Sequence, residues 1–197
     1  DAWYWAHPPI YMPENCNLED VEHIRNFVDI PVVCAGRLDP RVAADAIAEG
    51  KLDGAGFARQ FLADQAWVTK MMEGREEDIR PCIGCGVGCH DRGMLSGGVV
   101  QCAVNASLYK YDGPVYPQAE VSKKVIVVGA GPAGCEAAIT AKKCGHEVTL
   151  YEKRSIGGVL KEATVSDSKE DLGRLITYYE TQLKKNGIDV VFEEANV

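Results

Sequence analysis

The chain has no block of lysine and arginine, and it carries a formal net charge of −8 over 197 residues. That balance excludes a nucleic-acid backbone as partner, because proteins that bind one present basic patches. No apolar run approaches the roughly 18 residues of a membrane-spanning helix. The longest candidate, starting at Val125, is broken by Gly129, Gly131, Pro132 and Glu136, so no membrane is expected. Neither an initiator methionine nor a charged-then-apolar leader stands at the start, so no targeting segment is expected. Without a secretory leader, the eight cysteines fit a reducing cytoplasm better than a disulfide framework. With 46% apolar and 25% charged residues, the composition is that of a globular protein of one or two domains with a sizeable core.

The cysteines are not scattered. Four of them, Cys82, Cys85, Cys89 and Cys102, form a C-x2-C-x3-C-x12-C pattern among glycines 84, 86, 88, 93, 97 and 98. Three sulfurs within so short a stretch need tight turns to converge, and glycine supplies them because it tolerates positive φ. A fourth ligand from a more distant loop completes the all-cysteine set that holds an iron-sulfur cluster. Structural zinc stays open as an alternative, although zinc sites usually present two C-x2-C pairs. A c-type haem needs C-x-x-C-H, and Cys85, Cys89 and His90 do not supply it.

Before the cysteines the pattern alternates helix and strand. Residues 1–16, with four aromatics and three prolines, read as a loop. Asn17 is expected to cap a helix from Leu18 to about Asp29, with Val21, Ile24, Phe27 and Val28 as its inner face. A strand PVVCA follows. Gly36 and Arg37 form a short loop, Asp39 caps a second helix with Pro40 in its first position, and Gly50 ends it. A strand of about Asp53 to Phe57 leads to Ala58, Arg59 and a brief helix, and Asp64 to Glu73 reads as a further helix. This is the βα rhythm of a parallel sheet or barrel. A barrel's phosphate site is built by the loops after its last two strands, where Gly36-Arg37 and Ala58-Arg59 would sit; both arginines as plain surface charges is the competing reading.

After a turn-rich segment with no period, taken as an interdomain linker, the run VIVV reads as a buried strand. GAGPAG, Gly129 to Gly134, then matches G-x-G-x-x-G ahead of a helix reaching about Cys144. The first glycine makes the turn, Gly131 lets the backbone approach a pyrophosphate, and Gly134 allows the helix to pack on the strand. The helix N-terminus offers unpaired N–H groups to the phosphates. A second strand ends at Glu152, placed to bond a ribose hydroxyl. Gly157 and Gly158 form a turn, and Ser168 with Asp171 make a capping box. In the next helix Leu172, Leu175, Ile176, Tyr179 and Leu183 form a core face, and IDVVF begins a third strand.

Taken in order, PVVCAGRLDP, GFARQFLAD, the four-cysteine pattern, VVGAGPAG and LYEK resemble the multidomain NADH:flavin oxidoreductases related to 2,4-dienoyl-CoA reductase, trimethylamine dehydrogenase and clostridial enoate reductase. The opening DAWYWAHPPIY is most similar to the branch of enoate reductases and bile-acid enone reductases. The resemblance implies an α/β chain in three parts. These are the C-terminal part of an FMN-binding TIM (β/α)8 barrel of the Old Yellow Enzyme type (1–80), a 4Fe-4S loop and linker (81–122), and the start of a Rossmann-like FAD/NAD(P)-binding domain (123–197).

It further implies that Gly36, Arg37, Ala58 and Arg59 hold the FMN phosphate and that the four cysteines hold the cluster. Gly129, Gly131, Pro132, Ala133, Gly134, Glu152, Lys153 and Gly158 would hold the ADP half of FAD. Ala58 stands where many relatives have glycine, and Val159 where many have a polar residue. On this likeness the chain is an internal fragment, inactive alone, of a cytoplasmic enzyme. Electrons from NAD(P)H would pass through FAD and the cluster to FMN and reduce an activated alkene, with the cofactors carrying the chemistry. The substrate is an unsaturated small molecule, an enoate, dienoyl-CoA or steroid enone, and homo-oligomerisation stays open. His7 is the candidate proton donor or carbonyl-polarising group; its alternative is simple packing among Trp3, Trp5 and Pro8. An amine dehydrogenase of the trimethylamine dehydrogenase type, or a non-catalytic zinc- and nucleotide-binding module, are the rival functions.

Overall fold

In the computed structural model the described residues are 3–109 and 115–196. Part of the linker, residues 110–114, lies outside them, as do the first two residues and the last. The first half carries one parallel strand pair. Strand β1 (Val33–Ala35) pairs with β2 (Gly54–Gly56) with Cys34 opposite Ala55. Between them runs a helix, Pro40–Ala48, preceded in the chain by two others, so that α1 is Trp3–Ala6, α2 is Leu18–Arg25 and α3 is Pro40–Ala48. The expected cap forms: Asp39 Oδ1 accepts the N–H groups of Arg41 at 2.8 Å and Val42 at 3.0 Å. Cys34, Leu38, Ala43, Ala46 and Leu52 make a small core.

Several local expectations are corrected. The opening segment is not all loop, since α1 makes one turn within it. Helix α2 stops at Arg25 rather than near Asp29, and Ile24 and Phe27 are 49% and 74% exposed instead of facing inward. Asn17 does not cap it. Its Nδ2 donates to Trp5 O at 3.0 Å and Ala35 O at 2.9 Å, two carbonyls whose need for a donor outcompetes the helix end. The brief helix expected after Arg59 forms as α4 (Arg59–Ala63), and the helix expected over Asp64 to Glu73 is shortened to α5 (Trp67–Met72). Asp64 lies between them because its carboxylate is drawn to the N–H groups of Ala66 and Arg80 and to Lys70 Nζ. The cysteine stretch contains a nine-residue π-helix, Val87–Leu95, a form that concentrates at functional sites.

The second half is a three-stranded parallel sheet in the order β3 (Lys124–Val128), β4 (Glu147–Tyr151), β5 (Asp189–Val191). Helix α6 (Pro132–Lys143) crosses between β3 and β4; after a short α7 (Val159–Ala163), α8 (Asp171–Lys185) returns to β5. Ala130, Cys135, Ala138, Ile139, Leu150, Leu175, Tyr179 and Leu183 pack between sheet and helices, and Cys82, Ile83 and Cys102 pack against this same core. The helical spacing read for α8 is therefore its buried face. The capping box does not form, because the Asp171 side chain reaches Arg37 instead. Among the described residues no helix is long and apolar enough to cross a membrane.

Candidate functional site

Several ion pairs tie the halves together, two of them largely buried. Arg80, two residues before Cys82, is 7% exposed. It donates from both terminal nitrogens to Glu136 of α6 at 2.7 and 3.0 Å, and to Val104 O at 2.5 Å. Its guanidinium also lies 5.0 Å from the Tyr178 ring centroid. On the other side Arg37 donates to Asp171 at 2.6 Å. Near that second contact Arg174 is held by Glu14 at 2.6 and 2.8 Å, and toward the other end of α8 Asp78 accepts from Gln182 at 2.9 Å and Lys185 at 2.8 Å.

Between these contacts opens a cleft of about 1450 Å³. Its wall brings together His7, Gly36, Arg37, Ala58, Arg59, Cys82, Cys85 and Cys89, all expected site residues. The turn at Gly36-Arg37 is unusual: φ is +112° at glycine and +45° at arginine. For a non-glycine residue that conformation costs about 1–2 kcal/mol and persists only where neighbours over-determine it. Here Asn15 donates its N–H to Arg37 O at 3.0 Å, and Asn17 Nδ2 stands where a Cβ on Gly36 would go. Arg59 has no ion-pair partner among the described residues, whereas Arg37 donates from one terminal nitrogen to Asp171.

The four cysteines of the pattern all border one small recess opening beside this cleft. Glycine makes the approach feasible. A Cβ on Gly88 would overlap Gln101 O and stand 2.7 Å from Gln101 C and 3.2 Å from Cys102 N, so only glycine lets the C-x3-C turn lie on the extended loop that carries Cys102. Gln60 holds the other edge, its Oε1 accepting Cys82 N–H at 2.9 Å and its Nε2 donating to Arg80 O at 2.9 Å. Burial pushes the Cys82 and Cys102 thiols up from their ordinary value. All eight cysteines are free thiols, and no three described His, Cys, Asp or Glu side chains are grouped to hold a single metal ion. Four thiols bordering one recess supply the donor chemistry of an all-cysteine iron-sulfur site.

His7 and His90 meet at 5.3 Å between ring centroids, with Trp3 at 4.7 and 5.5 Å from them. Both packing and chemistry are thus available to His7. Its Nδ1 is buried without a partner, as is Nε2 of His90.

The glycine-rich turn does not line the cleft. Gly129 has φ +94°, and a Cβ on Gly134 would overlap Gly129 O, which bears out the close helix–strand packing read from the motif. Nothing stands within 4 Å of a Cβ on Gly131, the N-cap of α6, where no side chain bonds the helix end and Pro132 and Ala133 open the first turn. Gly158 lies against it, a Cβ there falling 3.1 Å from Gly131 Cα, and Gly157 N–H donates to Ala130 O at 2.8 Å. Glu152 accepts the N–H groups of Ala130 and Arg154, each at 2.8 Å. The Ala130 bond is the main reason its carboxyl is held below the usual range. Two of its roughly four lone-pair sites stay free for a hydroxyl. The Lys153 side chain is exposed, and its charge adds to the lowering of the Glu152 carboxyl.

Sequence reasoning passed over Gln60, Glu136 and Asp171. Gln60 had a signal, since it follows Arg59 directly in GFARQFLAD; the two acids make their close contacts with arginines 56 and 134 positions away.

Comparisons with known proteins agree with this layout. The family model for pyridine nucleotide-disulphide oxidoreductases matches residues 123–197. Cinnamate reductase of Clostridium sporogenes is 39% identical over 192 residues, covering 96% of this chain and 29% of that protein. NADH oxidase of Thermoanaerobacter brockii is 41% identical over 174 residues, covering 86% of this chain and 26% of that protein. Among solved structures, a 2-naphthoyl-CoA reductase complex superposes with a TM-score of 0.87 at 34% identity, covering 95% of this chain and 29% of the other. The chain thus spans less than a third of the length of the relatives it matches. Over that span, it belongs to the NADH:flavin oxidoreductase family of enoate-reductase-like proteins.

Proposed function

We propose that this chain is the junction of a longer iron-sulfur flavoenzyme that reduces an activated C=C bond with NAD(P)H. One observation carries the reading: residues suited to a flavin phosphate and three cysteines of the cluster pattern line a single cleft. The glycine-rich turn is tied to the same cysteines through Arg80 and Glu136. In this reading β1, α3 and β2 belong to the last βα units of a (β/α)8 barrel, the cysteine segment and linker follow over 81–122, and β3–β4–β5 form one half of a Rossmann-like domain from 123, whose sheet order matches that half.

Four thiolates from Cys82, Cys85, Cys89 and Cys102 would hold a 4Fe-4S cluster. A thiol ring about a recess suits several irons better than one zinc, whose thiolates lie about 2.3 Å from a single centre. The backbone at Gly36, Arg37, Ala58 and Arg59, with the side chains of Arg37 and Arg59, would bind the FMN phosphate. Gly129, Gly131, Pro132, Ala133, Gly134, Glu152 and Gly158 would bind the ADP half of FAD, the helix end facing the phosphates. When bound, these groups supply the electron transfer from NAD(P)H to the alkene. His7, with a buried unpartnered Nδ1, would hold a proton or a hydrogen bond toward the substrate carbonyl.

The experiment is anaerobic purification of the full-length protein with iron, sulfide, zinc and flavin analysis. Four irons with sulfide, FMN and FAD are expected. Colourless protein with zinc would instead establish the non-catalytic module. Unchanged alkene reduction in His7→Ala would remove that residue from the mechanism.

A further inference from the structure

Three distant stretches of sequence meet at one buried point. Arg37 comes from the turn after β1, and Asp171 is the first residue of α8, 134 positions later. Gly84 comes from the cysteine segment; with φ +61°, a Cβ there would stand 2.7 Å from Arg37 Nη1 and 3.3 Å from Asp171 Oδ2. The two charged side chains are 10% and 6% exposed. An acid in a helix's first turn ordinarily serves that helix end, yet the Asp171 carboxylate is directed at Arg37, with Arg174 at 3.7 Å as its second cation.

Arg37 gains a fixed position from this. An arginine side chain loses rotamer freedom when ordered, and Asp171 compensates that loss in advance. Its Nε is buried and has no partner, so the guanidinium keeps donor capacity beyond the Asp171 bond. Arg37, Asp171 and the unpaired Arg59 all border the same cleft.

We propose that Asp171 is a positioning residue for the anion cradle: it holds the Arg37 guanidinium beside Arg59, so the second half of the chain completes a phosphate site whose backbone belongs to the first. This rests on reading Gly36-Arg37 and Ala58-Arg59 as the flavin phosphate cradle.

The test uses the full-length protein stripped of flavin and titrated anaerobically with FMN and, separately, with riboflavin, which lacks the phosphate. Asp171→Ala weakens FMN about tenfold or more, the worth of one charge-assisted hydrogen bond, and leaves riboflavin within about threefold. Asp171→Asn keeps an acceptor oxygen in place and restores most of the FMN affinity. Equal losses for both flavins, no loss, or tighter FMN binding in Asp171→Ala would overturn the proposal. Arg59→Ala separates the two levels: if it leaves the preference for FMN over riboflavin intact, the cradle itself is misassigned. If it lowers that preference while Asp171→Ala does not, only the positioning role fails.

Discussion

Substituting Gly88 by alanine tests whether the cysteine recess is set by backbone contact. The new methyl would lie 2.7 Å from the Gln101 carbonyl carbon and overlap its oxygen. Relief to the 3.4 Å of ordinary contact needs a shift of about 0.7 Å from the carbon and about 1 Å from the oxygen, and both opposing atoms are backbone, so no flexible side-chain tip can absorb it. The move is resisted by the Gln101 N–H to Gly88 O bond of 3.0 Å. Overpacking of this kind costs about 1–3 kcal/mol. Its chemical effect is larger, because Cys102 is carried on the displaced loop and metal–ligand distances tolerate only about 0.2 Å. Anaerobically purified Gly88→Ala should lose more than half of its iron and acid-labile sulfide while the flavin bound at the glycine-rich turn stays. Gly97→Ala is the control. Gly97 has φ +64° with nothing within 4 Å of a Cβ, so the substitution strains the turn by about 1–2 kcal/mol without pushing a ligand. Parent-level iron in Gly88→Ala, or equal loss in Gly97→Ala, would refute the reasoning.

The other expectations concern the nucleotide turn and the junction. Gly134→Ala should abolish folding of the second half, because its Cβ overlaps Gly129 O, whereas Gly131→Ala should fold normally but lose FAD; thermal melts beside flavin content decide this. Arg80→Ala leaves Glu136 without its partner and should destabilise by about 3 kcal/mol in urea titrations, the low end for broken buried pairs, since Glu136 is a quarter exposed. The Glu152 carboxyl titrates below its unfolded value, so its contribution is complete above the ordinary glutamate range and lost as pH falls through the folded value. The stability gap between the parent and Glu152→Gln should therefore be widest at neutral pH and close in acid; a gap constant with pH would refute it.

What could be read from the sequence was local. Asp39 caps the N–H groups two and three residues on, and Gly134 sits where the turn beside it leaves no room for a side chain. Such constraints act within a few positions, so a short motif contains them whole. The misreadings share the opposite character. Asn17, Asp64 and Asp171 each looked like a helix cap or a helix residue, and each turned to a partner elsewhere: the Ala35 carbonyl, the Arg80 N–H, the Arg37 guanidinium. A short polar side chain has a nearby backbone donor as a default, and tertiary contact replaces that default without leaving a mark in the spacing. Ile24 and Phe27 show the same limit for apolar residues, because periodicity marks a sticky face but not whether anything lies against it.

The amide of Asn17 gives both of its hydrogens to carbonyls, and this has a bearing on how the protein ages. Slow hydrolysis of that amide during storage would convert a double donor into a carboxylate facing two oxygens, right where Gly36 must bend. Old preparations should therefore lose flavin before they lose helicity, and peptide mapping should find aspartate at this position in the flavin-free fraction.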